Sequence, residues 1–464
     1  MKKLYLALSH FPMMIEKRAS TRFSQFCKLG LLVPFLLSLT LTILSPMQSY
    51  WKVKLSIFLN YFVFAILLNS VGTVILQVQR TYGVTETSAS ILEAFKDLSI
   101  AIVSFLVASY INRLGYKNAM LIALGFNALI CLLMPTIHSF GMTKVLFAIA
   151  GAGFALIKVS VYGTIGLVTA NKKEHISLMN FIESFFMIGI LTGYFIFSGF
   201  MDDSTPTAWL NVYYVLGGIA LIAFVLLLTT SLDESSLKTD TAKPFFEDFA
   251  EMFRLIILPL VLVFVICAFI YVLIEQSIMS WLPTFNNKVL HLPAALSIQM
   301  ASLLAIATAL GRFLAGVLLK KLNWLTVLIG CLGISAGLVL VALPLAQNAN
   351  TAAITGWSDA PVAAFIFPMI GLFLAPIYPA INSLILSSLS IKQHGLMSGL
   401  IVIFSALGGT TGSLITGYIF EHYGGQTAFY FSLIPIGILV VALFFFSRLQ
   451  GKNAAVEISG LGGH

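Results

Sequence analysis

From Lys54 onward the chain alternates between long apolar runs and short polar interruptions. A helix needs roughly 20 apolar residues to cross the hydrocarbon core of a bilayer. On that criterion the pattern predicts twelve spans, near 55–79, 87–111, 117–137, 143–169, 175–200, 208–230, 256–284, 295–319, 323–345, 360–389, 397–420 and 426–447. One long polar stretch, Ser231 to Arg254 (SLDESSLKTDTAKPFFEDFAEMFR), falls about halfway and divides the spans six and six. The expected organisation is an N-terminal extension (1–53), a six-helix half (54–230), a cytoplasmic linker (231–254), a second six-helix half (255–447) and a cytoplasmic tail (448–464). Within the extension, Leu29 to Pro46 is apolar and just long enough to span. Three readings stay open for it: an interfacial helix, a signal-like extension, or a start codon assigned ahead of a true start at Met47.

Composition makes the solvent explicit. The chain has 464 residues, 59% hydrophobic and only 9% charged, whereas a soluble domain is nearer a quarter charged. The expected fold is therefore an all-α membrane protein, because helices satisfy their own backbone hydrogen bonds in lipid. Barrel strands would show short alternating segments instead. The net charge of +8 sits in loops and does not point to nucleic acid. With both ends of the twelve-helix core placed in the cytoplasm, twelve lysines and arginines face inward against three outside. That is the positive-inside pattern, and it implies a multi-pass protein of a bacterial-type cytoplasmic (inner) membrane. Four cysteines lie in or beside apolar runs without a CxxC, and seven histidines fall in loops or tails without metal-ligand spacing. No metal site, cofactor or nucleophile–base pair is expected, so the chain does not read as an enzyme.

The halves echo each other. VASYINRLGYKNA (Val107–Ala119) joins spans two and three, and LAGVLLKKLNW (Leu314–Trp324) joins spans eight and nine. Superposing Ala108 on Gly316 brings Arg113 onto Lys321 and Gly115 onto Asn323. Transporters are often built from such repeats. A small residue would let two helices approach closely, and Arg113, Lys117, Lys320 and Lys321 would hold the loops at the inner face. The first loop resembles, in degenerate form, the G-x-x-x-D-R-x-G-R-K signature of the major facilitator superfamily. Arg113, Gly115 and Lys117 match, Ala108 replaces the first glycine, Asn112 the aspartate and Tyr116 the second arginine; in the second loop Gly316 matches. A narrower resemblance, to the fucose–galactose–glucose:proton symporter group, comes from FIYVLIEQSIMSWLPTF (Phe269–Phe285), GLFLAPIYPAINSL (Gly371–Leu384) and SALGGTTGSLITGYIFEHYGG (Ser405–Gly425). Where the fucose branch carries acids in helices one and four, this chain has Thr73 and Lys158. The resemblance implies alternating access in a monomer, energy from a proton gradient, and a sugar as the first substrate to consider.

Candidate chemistry lies in charges that should not be there. Glu93, Lys96 and Asp97 share one face of span two, while Lys158, Glu183 and Glu275 fall near the middle of spans four, five and seven. Facing lipid, each would cost on the order of 3 kcal/mol or more, so they must face one another or water. They form either a closed ion-pair network or a proton and substrate relay. Four carboxylates against two lysines leave an excess of acid, which favours the relay. Asn69, Gln77, Tyr162, Tyr271, Gln276, Tyr378 and Asn382 lie on the spans that the resemblance places around a central cavity, and they are the candidate substrate ligands. Interhelical hydrogen bonding is the competing role for each. Arg312, near the inner end of span eight, is expected to support the inner loop. Gly151, Gly153, Gly408, Gly409 and Gly412 mark expected close packing. The function expected is secondary active transport of a small polar solute. An anionic or zwitterionic metabolite such as a carboxylate or siderophore is the first alternative, suggested by Lys96 and Lys158. A non-transporting sensor is the second.

Overall fold

Four of the twelve spans are divided into two helices, and three of the divisions have identifiable chemical causes. The computed structural model describes residues 51–169, 172–202, 204–232, 234, 250, 252–347, 354, 356–389 and 393–461. Span one comprises α1 (Trp51–Asn69) and α2 (Val71–Tyr82). At the junction the Ser70 hydroxyl donates back to Leu67 O at 2.8 Å, a side-chain bond that competes with the helical ladder and bends it. The next five spans are single helices: α3 (Glu86–Leu114), α4 (Tyr116–Leu133), α5 (Phe140–Val168), α6 (Lys172–Gly199) and α7 (Val212–Leu228). Span seven divides into α8 (Pro259–Met279) and α9 (Leu282–Lys288). Pro283, in the first turn of α9, has no N–H to return to the carbonyl four residues back. Spans eight and nine are α10 (Ala294–Leu318) and α11 (Trp324–Gln347). Span ten divides at Pro376 into α12 (Ala363–Leu374) and α13 (Ile377–Ser387). Span eleven is α14 (His394–Tyr423), and span twelve comprises α15 (Gly425–Phe431) and α16 (Leu433–Leu461).

Among the described residues, eleven of these segments are long and apolar enough to cross a membrane. The twelfth, α3, is 29 residues long and carries Glu93, Lys96 and Asp97 in its first half. The protein is thus an all-helical bundle of twelve spans, with no strand among the described residues. Residues 55–464 form one unit and residues 1–54 another. Of the latter only Trp51–Lys54, the first turn of α1, is described, so Leu29–Pro46 lies outside the described residues, as does most of the linker.

Within the halves α3 packs on α5, α8 on α14 and α10 on α12; between the halves α3 meets α14, α6 meets α10 and α2 meets α9. Glycine permits the closest of these approaches. A Cβ at residue 72 would lie 2.7 Å from Ser280 O, so the breaks of spans one and seven meet there backbone to backbone. Gly408 and Gly412 admit the backbone of Phe269 and Leu273, Gly151 admits that of Lys96, and Gly153 and Gly409 admit the side chains of Asn127 and Asp97. Gly316 departs from its expected role. A Cβ there would meet open space, because the end of α10 has no neighbour helix against that face.

The two ends of the bundle differ. At the end where α3 begins, Lys288 pairs with Glu86 at 2.5 Å, and Glu421 of α14 accepts from the Thr87 N–H at 3.0 Å. Gly417 sits under Trp281 and Ser90. These contacts join the halves and close that end. At the other end, where α3 finishes, Gly115 adopts φ +83°, a left-handed conformation that suits glycine. Glu234, at the start of the linker, accepts from the Lys117 N–H at 2.8 Å. Lys117 Nζ donates to Leu228 O at 3.3 Å and also to Thr230 O. Lys320 and Lys321 are exposed at this same basic end; Arg113 lies in the last turn of α3, its side chain outside the described residues.

Candidate functional site

A cavity of about 230 Å³ lies between the halves. Its charged walls are Lys96 (α3), Glu183 (α6), Glu275 (α8) and Arg312 (α10), and its polar walls include Asn69, Gln276, Ser280, Thr308 and Tyr194. Five of the sequence candidates therefore reach it: Asn69, Lys96, Glu183, Glu275 and Gln276. The others stand behind them or apart.

Glu93, Lys96 and Asp97 form one buried ion-pair triad, with residue exposures of 0%, 6% and 8%. The Lys96 ammonium pairs with Glu93 and lies 3.3 Å from Asp97 Oδ1. The second half completes the triad. Ser280 Oγ donates to Glu93 Oε2 at 2.9 Å and, at 3.1 Å, to Gln276 Oε1, while the Asp97 carboxylate lies against Gly409 of α14. A carboxylate this deep would be costly alone; here the lysine, a hydroxyl and tight packing hold it.

Lys158 does not join this network. It is exposed, and its ammonium stands 5.9 Å over the Phe154 ring, with no ion pair among the described residues. Span four carries it about 15 Å from the basic end of α5 (ten residues at 1.5 Å rise), whereas Glu93 and Asp97 lie nearer the closed end. The expectation that Lys158 joins the intramembrane charge cluster is therefore corrected: helix periodicity places a residue on a face but cannot fix its depth relative to another helix.

Tyrosines hold the two remaining acids. Tyr162 OH donates to Glu183 Oε1 at 2.7 Å, linking α5 to α6. Tyr271 OH donates to Glu275 Oε1 at 2.9 Å, one turn apart on α8. Tyr378 stacks on Tyr271 at 5.5 Å between centroids and shares a 2.8 Å hydrogen bond with Ser405. Tyr162, Tyr271 and Tyr378 thus support the acids rather than line the cavity. Asn69 Nδ2 donates to Ala65 O at 2.9 Å, leaving its oxygen for the cavity. Gln77 is buried in α2 away from the cavity with Nε2 unpartnered, and Asn382 likewise has a buried, unpartnered oxygen.

Arg312 is the cavity residue that sequence reasoning misplaced. It lines the cavity, is exposed there, and makes no hydrogen bond or ion pair among the described residues. The cause lies in span ten. Pro376 has no N–H for the carbonyl of Leu372, and that carbonyl lies against Gly311, so α10 approaches α12 there and its next residue sits at the cavity. The available signal was a lone arginine six residues inside an apolar span. Ser280 was missed because a single serine in an apolar helix has no distinguishing pattern.

The profile of the Major Facilitator Superfamily matches residues 55–370. The chain is 23% identical over 398 residues, 84% of this chain and 94% of the relative, to the protein TsgA homolog of Buchnera aphidicola subsp. Baizongia pistaciae (strain Bp). Its fold matches the crystal structure of a bacterial homologue of the human lysosomal transporter Spinster, inward-facing and occupied. The TM-score is 0.69 at 14% identity, covering 88% of this chain and 98% of that one. The E. coli fucose:proton symporter shares the fold with a TM-score of 0.55 at 16% identity, covering 86% and 98%. A closed twelve-span bundle around one polar cavity, matched by the family profile over most of its length, places this chain in the major facilitator superfamily, as a transporter of small solutes and not an enzyme.

Proposed function

We propose that the protein moves a small polar solute across the cytoplasmic membrane by alternating access, coupled to protons through the Glu93–Lys96–Asp97 triad. The observation that carries this reading is the Ser280–Glu93 hydrogen bond, which ties the triad of one half to the other half. Two buried carboxylates share one lysine, so the triad has one acid in excess. When the closed end opens, Ser280 leaves Glu93, Asp97 leaves Gly409, and both carboxylates meet water and exchange a proton. Re-forming the packed state requires that charge to be settled again, which links protonation to closure. Lys96 also lines the cavity, so a bound solute shares an electrostatic field with the proton site. The positive-inside bias places the basic end in the cytoplasm, and the structure then corresponds to a state closed toward the outside. Coupling to a proton gradient needs no cofactor, and a monomer contains the whole pathway. A solute of sugar size fits the cavity.

The test is uptake into proteoliposomes of labelled sugars, amino compounds and organic acids, with and without a proton uncoupler. Asp97→Asn keeps shape but cannot titrate, so it should abolish concentrative uptake while leaving solute exchange in part. Accumulation by that variant at the wild-type level would overturn the coupling role.

A further inference from the structure

Two acids and two bases line the cavity, but one of the bases is already held by other carboxylates. Lys96 is already satisfied by Glu93 and Asp97, so with both acids ionised the triad is net negative and offers no free cation. Glu183 and Glu275 receive hydrogen bonds from Tyr162 and Tyr271 and make no ion pair among the described residues. Against them stands Arg312, exposed to the same cavity and without a hydrogen bond or ion pair among the described residues. With Lys96 held in the triad, Glu183 and Glu275 face Arg312 across the cavity. Arg312 acts on Glu275 through its charge alone, with no hydrogen bond between them, so the carboxylates and the guanidinium keep their hydrogen-bonding capacity for a solute. A simple anion answers only the guanidinium, and a simple cation only the carboxylates.

We infer that the cavity takes an amphoteric solute, with an ammonium group held by Glu183 and Glu275 and a carboxylate on Arg312. This inference rests on the transport reading above and names its substrate class. Glu183 belongs to the first half and Glu275 to the second, so a bound ammonium draws the halves toward each other. The guanidinium fork matches a carboxylate by two parallel hydrogen bonds. Of the two lysines first associated with an anionic or zwitterionic substrate, Lys158 does not line this cavity, and Lys96 lines it but is held by Glu93 and Asp97. Its volume of about 230 Å³ suits a solute of amino-acid or amino-sugar size.

The experiment uses the full chain in lipid nanodiscs and reads binding by thermal shift and calorimetry. The probes are four six-carbon compounds of one size, glucose, gluconate, glucosamine and 2-amino-2-deoxygluconate, together with the standard L-amino acids. The expected result is stabilisation by 2-amino-2-deoxygluconate or an amino acid, above that by glucosamine, with glucose and gluconate inert. Glu275→Gln and Glu183→Gln should each weaken the amine-bearing probe at least tenfold, and Arg312→Gln should remove the preference for the carboxylate. Where Arg312→Gln does not fold, Arg312→Lys, which keeps the charge without the fork, should still lower affinity severalfold. Stabilisation by glucose or gluconate alone, or by none of the amine-bearing probes, would overturn the inference. Proton-linked uptake of glucose would do so while leaving the transport reading intact; loss of the Asp97 effect on accumulation would remove that reading while leaving a binding preference measurable.

Discussion

Single residues show how little a charge's presence says about its role. Lys96 and Lys158 are both intramembrane lysines by sequence, yet one is buried in a triad and the other exposed over a phenylalanine ring. Lys96→Ala strands Glu93 and Asp97 and is expected to destabilise by roughly 3–5 kcal/mol, seen as a lower melting temperature in detergent. Lys158→Ala removes no ion pair, and its stability should stay within about 0.5 kcal/mol of wild type. A loss for Lys158→Ala matching that of Lys96→Ala would contradict this division. The triad itself was legible at the level of sequence spacing, since residues three and four apart share a helix face. Its completion by Ser280 and Gly409 was not, because those contacts join residues far apart along the chain.

At the scale of elements, proline and glycine decide where helices bend and how near they come. Gly408 and Gly412 let α14 lie against the backbone of α8. Gly408→Val has nowhere to put its branches, and an overpacking cost of roughly 1–3 kcal/mol is expected, measurable in a detergent melt; an unchanged melt would mean that α14 shifts freely. The closing contacts are of another kind. Lys288–Glu86 is partly exposed and worth about 0.2–1 kcal/mol, and Glu421 adds an acceptor to the first turn of α3. Neither fixes the fold. Removing both (Glu86→Gln with Glu421→Gln) should therefore leave stability nearly unchanged while shifting the population toward opening at that end. Spin-label distances between the ends of α3 and α14 would show the shift, and an unmoved distribution would rule the latch out. The positions of the spans were readable from hydropathy. The breaks in spans one, seven and ten were not assigned, although Pro283 and Pro376 were visible, because a proline kinks some helices and merely begins others.

At the scale of the whole molecule, the structure describes one end closed by inter-half contacts and charges exposed in the cavity toward the other. In a variant lacking its native cysteines, Glu183→Cys and Arg312→Cys should react with a membrane-impermeant thiol reagent applied from the cytoplasmic side, and Ser280→Cys should react far more slowly. Faster reaction from the outer side would reverse the assigned state. What the sequence by itself determined is the solvent and the layout: twelve apolar spans, their helical nature, and the charges too costly to leave in lipid. Those properties are local, set by hydropathy, backbone hydrogen bonding and charge, each readable in a window of some twenty residues. Only the tertiary structure decided which charges meet. It paired Lys96 with Glu93 and Asp97, set Lys158 aside, and brought Arg312 into the cavity, because depth and facing between helices depend on glycine approaches and proline-freed carbonyls. Such contacts join distant parts of the chain, and no single span contains them.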